Sequence, residues 1–373
     1  MYSSIFSICL FVVVVTKISG ESCDAGPFQL TNFTFERQND QSRLYFILTC
    51  GLIDNVRLDP IKHENDCGSH MHSVYGSNRF GARITSDDQA LPNDKLSNTT
   101  CSCPADGSSY WVPSLYYRDP KDDKLYIVPS YTKAYYFNRG NTQPLQPLPQ
   151  NLRMIRGDPL RAEPLDFNGS DSTLVVWEGT DVPGSFPSWL DHDWQLRIMF
   201  PNCWDGVNLV TSKENENTHV AFRDDSTGLC PDSHPVRIPQ LFMEIQYQVA
   251  FMSATSRSDF IFSMGDVNGW GGHADYVSGW NNEVLDAALN TCWDFDLSNP
   301  DCALHQFNGV QAKNPQGYYK STPVEEVSGI DILLVTDDEA DNTGLEPADC
   351  TFGEESDVYD FIPNTYGSFQ KEC

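Results

Sequence analysis

What this 373-residue chain has little of narrows its function before any motif is read. Basic residues are scarce, with 24 Lys and Arg against 52 Asp and Glu, for a formal net charge of −28. Nucleic-acid binding relies on clustered Lys and Arg to neutralise phosphates, so a generic nucleic-acid binder is excluded. The same field repels acidic polysaccharides at long range, which leaves neutral or cationic polysaccharides, or bound cations, as the easier partners. Long apolar runs are missing too, and nothing reaches the ~18 apolar residues of a membrane-spanning helix. The longest apolar stretch, residues 5–15, precedes Thr16-Lys17 and the small Ser19-Gly20. That is the layout of a signal peptide cleaved near Gly20 and of an extracellular or cell-wall destination. There is no internal repeat, and no Gly-x-Ser-x-Gly elbow to support Ser/His/Asp chemistry.

Helical periodicity is rare, and 23 Pro and 25 Gly punctuate the chain closely. Short apolar or alternating runs predict strands at 28–35, 43–49, 124–128, 174–177, 195–200, 241–251 and 259–263. One short helix is expected over 282–292, where Val284, Leu285, Ala288 and Leu289 form a stripe. Many short strands with turn-rich connections predict a mainly β fold, an antiparallel β-sandwich or distorted jelly roll. Residues 1–20 are then the signal peptide and 21–302 a single β-rich domain. The Pro-rich stretch at 143–149 is a loop within that domain. Residues 303–373 form an acidic extension. From 321 onward there are fourteen acids and only Lys371 as a base, a pattern of solvated tails. Cys350, Cys373 and the apolar run at 330–335 suggest that part of it is anchored.

Of twelve cysteines, Cys9 lies in the signal, which leaves eleven. In an exported chain these read as a disulfide framework, and the odd count leaves one thiol or one intermolecular bond. Cys292 with Cys302 and Cys350 with Cys373 are the attractive local pairs, each closing a short loop. Cys101-Ser-Cys103 lacks a second matching pair for a zinc ribbon. Sequons at Asn32, Asn98 and Asn168 suit a glycoprotein of the secretory route.

What is present in quantity is chemistry-bearing residues in ordered motifs. They run Asp59-Pro-Ile, His70-Met-His72, Tyr110-Trp111-Val-Pro-Ser-Leu-Tyr116, Phe200-Pro-Asn-Cys203-Trp204-Asp205-Gly206 and His219-Val-Ala. Cys230-Pro then leads through His234 to Glu244, and residues 265–280 carry Asp266, Trp270, His273, Asp275 and Trp280. His70 and His72 are two apart, so on a strand both rings share a face and can share an ion; His219, His234 or His273 would complete a three-ligand site for one divalent metal. A metal site of His70, His72 and His219 is one reading. Structural hydrogen bonding is the other. A copper brace built on an N-terminal histidine is disfavoured, because the mature chain begins near Glu21.

Together these motifs resemble the secreted, fungal-type family catalogued as domain of unknown function nineteen ninety-six. The resemblance runs from about Cys50 to Cys302 and includes Arg153-Met154, His273-Ala-Asp and Gly279-Trp280. Ala274 and Tyr276 depart from its pattern, as does the approach His63-Glu-Asn-Asp-Cys67. The resemblance implies a cell-wall or matrix setting and so a carbohydrate ligand.

The expected function is therefore that of a secreted glycan-associated protein, a hydrolase or lyase with His70, His72, His273 and Asp275 as catalytic groups. His273 or His70 would act as base and Asp275 as its orienter. Trp111, Trp204, Asp205, His219, Glu244, Asp266, Trp270 and Trp280 are the candidate ligand contacts. Sugar rings pack an apolar face on aromatic planes, although two of these four tryptophans are expected in the core. Asp205, Glu244, Asp266 and Asp275 are the carboxyl candidates for a glycosidase pair. The alternatives are a non-catalytic glycan-binding or wall-structural protein, and a metal-binding surface protein centred on the two close histidines.

Overall fold

The computed structural model describes residues 45–84, 99–139, 143–164, 168–180, 184–210, 218–292 and 302–306. The signal peptide, the strand expected at 28–35, the sequons Asn32 and Asn98, and Cys350, Cys373 and the acidic extension lie outside the described residues. The described residues form fifteen strands. β1 (Tyr45–Leu58), β2 (Cys67–Gly76), β3 (Ser109–Pro113), β4 (Leu115–Arg118), β5 (Leu125–Ile127), β6 (Ser130–Phe137), β7 (Arg153–Gly157) and β8 (Val175–Trp177) come first. β9 (Trp194–Met199), β10 (Cys203–Trp204), β11 (Val220–Ala221), β12 (Val236–Arg237), β13 (Gln240–Tyr247), β14 (Phe260–Phe262) and β15 (His273–Val277) follow.

The expected mainly β, antiparallel class holds. Nine strands make one sheet in the order β7-β15-β3-β2-β1-β6-β13-β9-β8, flanked by the small sheets β11-β10-β12 and β14-β4-β5. Every pairing in the large sheet is antiparallel. It curls into a nearly closed barrel, with Arg156 of β7 donating to the Met199 carbonyl of β9. Side chains alternate between two faces along each strand. Tyr75, Tyr110, Tyr136, Tyr276 and Trp280 turn into the main core with Trp177, Phe186 and Trp194. Val74, Trp111, Ile155 and Val277 turn to the other face, where Ile53, Ile61, Phe80 and Ile84 complete a second cluster.

The helix α1 spans Asn282–Thr291 and buries the stripe read from the sequence, Val284, Leu285, Ala288 and Leu289. Asn281 caps it, accepting from the Val284 amide at 3.2 Å. Asn281→Ala is expected to cost about 1 kcal/mol, read as a lower urea midpoint with an unchanged slope.

Disulfides join Cys50–Cys101, Cys203–Cys230 and Cys292–Cys302, and Cys67 is disulfide-bonded as well. Cys103 keeps a fully buried thiol. The Pro-rich loop at 143–149 is tied down by Arg237, whose guanidinium donates to the Gln143 and Arg139 carbonyls.

Candidate functional site

The histidines gather on the second face of the sheet. Antiparallel register places Val74, Trp111, Asp275 and Ile155 in one row across β2, β3, β15 and β7. One row further along, His72 faces Pro113 and His273 faces Gly157. His72 and His273 thus stand two strands apart, about 9.5 Å by ordinary spacing. Their ring centroids are only 5.9 Å apart, so the imidazoles incline toward each other over Pro113. His70 joins them with its centroid 4.3 Å from His72 and 4.9 Å from His273. The turn after β1 roofs the row. Its Pro60 carbonyl and the Ile84 carbonyl both accept from the Arg153 guanidinium, and Asp59 Oδ1 accepts from the Ile61 and Lys62 amides.

Hydrogen bonds fix two of the three tautomers. His72 Nδ1 lies 2.9 Å from the Leu58 carbonyl and His273 Nδ1 lies 2.8 Å from the Gly271 carbonyl. A carbonyl only accepts, so each Nδ1 carries the proton and each Nε2 presents a lone pair. His70 Nε2 sits 3.0 Å from His273 Nε2, and its Nδ1 sits 3.0 Å from Ser69 Oγ. As drawn, His70 donates through Nε2–H and accepts from Ser69. The His72 Nε2 is buried without a hydrogen-bond partner, which costs about 1–3 kcal/mol when it stays so.

Burial keeps all three imidazoles neutral. It lowers His70 well below the usual histidine value, with His72 and His273 adding repulsion. It lowers His72 to about 4 against the pull of Asp59, and it lowers His273 as well. A neutral imidazole is the form that accepts a proton or ligates a metal. The donor atoms of the three residues all lie within 4.8 Å of one another.

Asp275 shares the face but not the expected role. Its neighbour His273 is oriented by the Gly271 carbonyl, to which its Nδ1 is bonded, and not by the carboxyl. Asp275 is buried, and burial together with Asp59 raises its carboxyl well above the ordinary value. Asp266 acts one step back. Its carboxylate accepts from the Asn268, Gly269 and Gly271 amides, fixing the loop whose Gly271 carbonyl holds His273.

His219 is not part of the trio. Its Nε2 bonds the Arg153 carbonyl at 2.7 Å, at the end of β7 opposite Gly157 and about 13 Å away along the strand. The third imidazole beside His70 and His72 is His273. His234 bonds the Thr218 carbonyl in the same outlying region as His219. Trp111 and Trp280 are fully buried core residues. Trp111 sits on strand β3, in a stretch that reads as irregular in the sequence. Trp204 and Trp270 are half-buried, their indole N–H groups donating to the Asn208 carbonyl and to Ser185 Oγ. Asp205 is spent on the Val207 and Asn208 amides. Glu244 of β13 accepts from the Tyr135 hydroxyl of β6, apart from the histidines. Asn168 is exposed, its side-chain carbonyl accepting from the Ser170 amide.

Sequence reasoning missed the residues that hold the trio. Ser69, the Leu58 carbonyl and Gly157 carry no pattern of their own. Asp59 stands out only as the head of a motif.

A family model described as a domain of unknown function, DUF1996, matches residues 59–280. The chain belongs to the DUF1996 family. No curated protein and no solved structure matches it. The DUF1996 segment contains all three histidines, the roofing turn and both sides of the sheet face. Among the described residues no helix is long and apolar enough to cross a membrane.

Proposed function

We propose that this DUF1996 protein is an extracellular carbohydrate-active protein that cleaves a neutral or cationic wall or matrix polysaccharide, with the His70–His72–His273 trio as its centre. The observation that carries the reading is the trio itself, in which three neutral imidazoles from segments two hundred residues apart bring one ring nitrogen each within 4.8 Å of the others. Burying an unpartnered imidazole nitrogen costs stability, and such costs accumulate at functional sites. His273, held in one tautomer, has the form of a general base. The excess of acids disfavours polyanionic glycans. Trp270, half-buried and three residues before His273 in the chain, is a candidate indole plane for a sugar ring. The disulfides suit an oxidising compartment.

The second reading is binding without cleavage. It is favoured by the depth of the trio, whose most exposed member, His70, is 6% accessible. The test incubates the wild-type protein and His273→Ala with a panel of neutral and cationic wall polysaccharides. Soluble products from wild type alone are expected, since a general acid–base contributes about a hundred- to ten-thousand-fold. Retention without products selects binding. Neither products nor retention removes glycans from the account.

A further inference from the structure

We propose that His70, His72 and His273 together bind one divalent transition-metal ion, of the class of Zn²⁺, through their Nε2 atoms. The inference rests on reading the trio as the functional centre and not on the identity of any substrate; with His273 Nε2 on the ion, the base of the cleavage reading would be an ion-bound water and not His273 itself.

Metal-bound histidines donate their other ring N–H to a carbonyl or another oxygen, which fixes ring and tautomer. His72 and His273 already do so, through Leu58 and Gly271. His70 is the adjustable member. A serine hydroxyl both donates and accepts. Moving the His70 proton from Nε2 to Nδ1, with Ser69 Oγ turning to accept it, points the third lone pair inward. The cost is one hydroxyl rotation and one tautomer change at a residue whose serine neighbour is exposed.

Distances fit the same answer. A tetrahedral ion with ~2.1 Å bonds needs nitrogens ~3.4 Å apart, and the donor atoms stand within 4.8 Å of one another with one pair at 3.0 Å. The buried lone pair of His72, without a partner, gains one. Three imidazoles select zinc, copper or nickel over calcium and magnesium, which prefer oxygen. The charge of Asp59 acts favourably on His72 and His273 and that of Asp158 on His273, while Arg57 opposes at His70. No fourth His, Cys, Asp or Glu joins the group among the described residues. One coordination position is then left for water or a substrate oxygen, as in catalytic zinc sites.

The test uses the full chain stripped with a chelator and titrated with Zn²⁺ alone, followed by calorimetry and elemental analysis, with Co²⁺ absorption reporting geometry. The expected result is one ion per chain, abolished in His72→Gln. Ser69→Ala is expected to weaken Zn²⁺ about ten- to a hundredfold, with the fold retained by circular dichroism, although the loss of its bond to His70 Nδ1 also lowers the metal-free thermal midpoint. Wild type that binds neither Zn²⁺ nor Co²⁺, or affinities unchanged in both variants, overturns the proposal. Stoichiometric Zn²⁺ without glycan products in either metal state leaves the metal site standing and removes the cleavage reading. Glycan products from a chain that binds no ion do the reverse.

Discussion

Gly157→Ala is expected to destabilise the domain by about 4 kcal/mol and to abolish the histidine trio. Two independent penalties add. Gly157 has φ +98°, a region costing a residue with a Cβ about 1–3 kcal/mol. The added Cβ would also lie 2.3 Å from the Gly272 carbonyl oxygen and 2.6 Å from the Cα of His273. Overpacking of this kind costs about 1–3 kcal/mol more, because both contacts are backbone and neither can swing away. What gives is the β7–β15 pairing that carries His273. Gly265 provides the control: its φ is +92°, yet a Cβ there meets nothing within 4 Å. Gly265→Ala should therefore pay the strain alone, about 2 kcal/mol. Urea unfolding reads the difference between the two variants, and Zn²⁺ stoichiometry reads the site. Equal destabilisation with an intact trio in both would show that close approach at Gly157 does not position His273.

The same pair of strands shows how far the sequence could be read. Strands at 43–49, 124–128, 174–177, 195–200 and 259–263 are legible because apolar residues alternate or cluster there, and β1, β5, β8, β9 and β14 occupy those places. The run at 241–251 breaks after Tyr247 into a 3-10 turn at Val249–Phe251. β2, β3, β7 and β15 are far less legible. Their faces carry His70, His72, Trp111, Arg153, His273 and Asp275 in place of an apolar alternation, so titratable and aromatic residues erase the pattern that betrays a strand. For that reason the chemistry reads as lying on loops, whereas the sheet holds it. The two-residue spacing of His70 and His72 does encode their shared face. The choice of His273 over His219 is not encoded, because it depends on β15 pairing with β3 and β7, a matter of register across 160 residues of chain.

The buried acid Asp106 sets the second large expectation, a stability term that is lost as the pH rises. Asp106 is fully buried. One carboxyl oxygen accepts from the Ser108 amide at 3.0 Å and the other from the Tyr110 hydroxyl. Tyr110 continues to the Tyr136 hydroxyl, and Tyr276 closes the group against Ser108 Oγ. Removal from water outweighs these bonds and pushes the Asp106 carboxyl up to about 6. An acid raised in the folded state contributes stability that is complete below its unfolded value of about 3.9 and is lost as the pH passes through the folded value. Between about pH 4 and pH 6 this group should therefore surrender about 3 kcal/mol, two pKa units at 1.36 kcal/mol each. His72 works in the opposite sense. Its folded value of about 4 means that its contribution is present above the unfolded value of ~6.5 and is lost as the pH falls through that range. The wild-type profile thus superposes two opposed slopes, and only a difference separates them. In Asp106→Asn the amide can donate to the Tyr110 oxygen with that hydroxyl pointing on to Tyr136, so the network survives while the titration disappears. Urea unfolding at pH 4 and pH 8 is expected to show wild type losing about 3 kcal/mol relative to Asp106→Asn over that span. Parallel profiles would mean that Asp106 keeps an ordinary carboxyl value despite its burial.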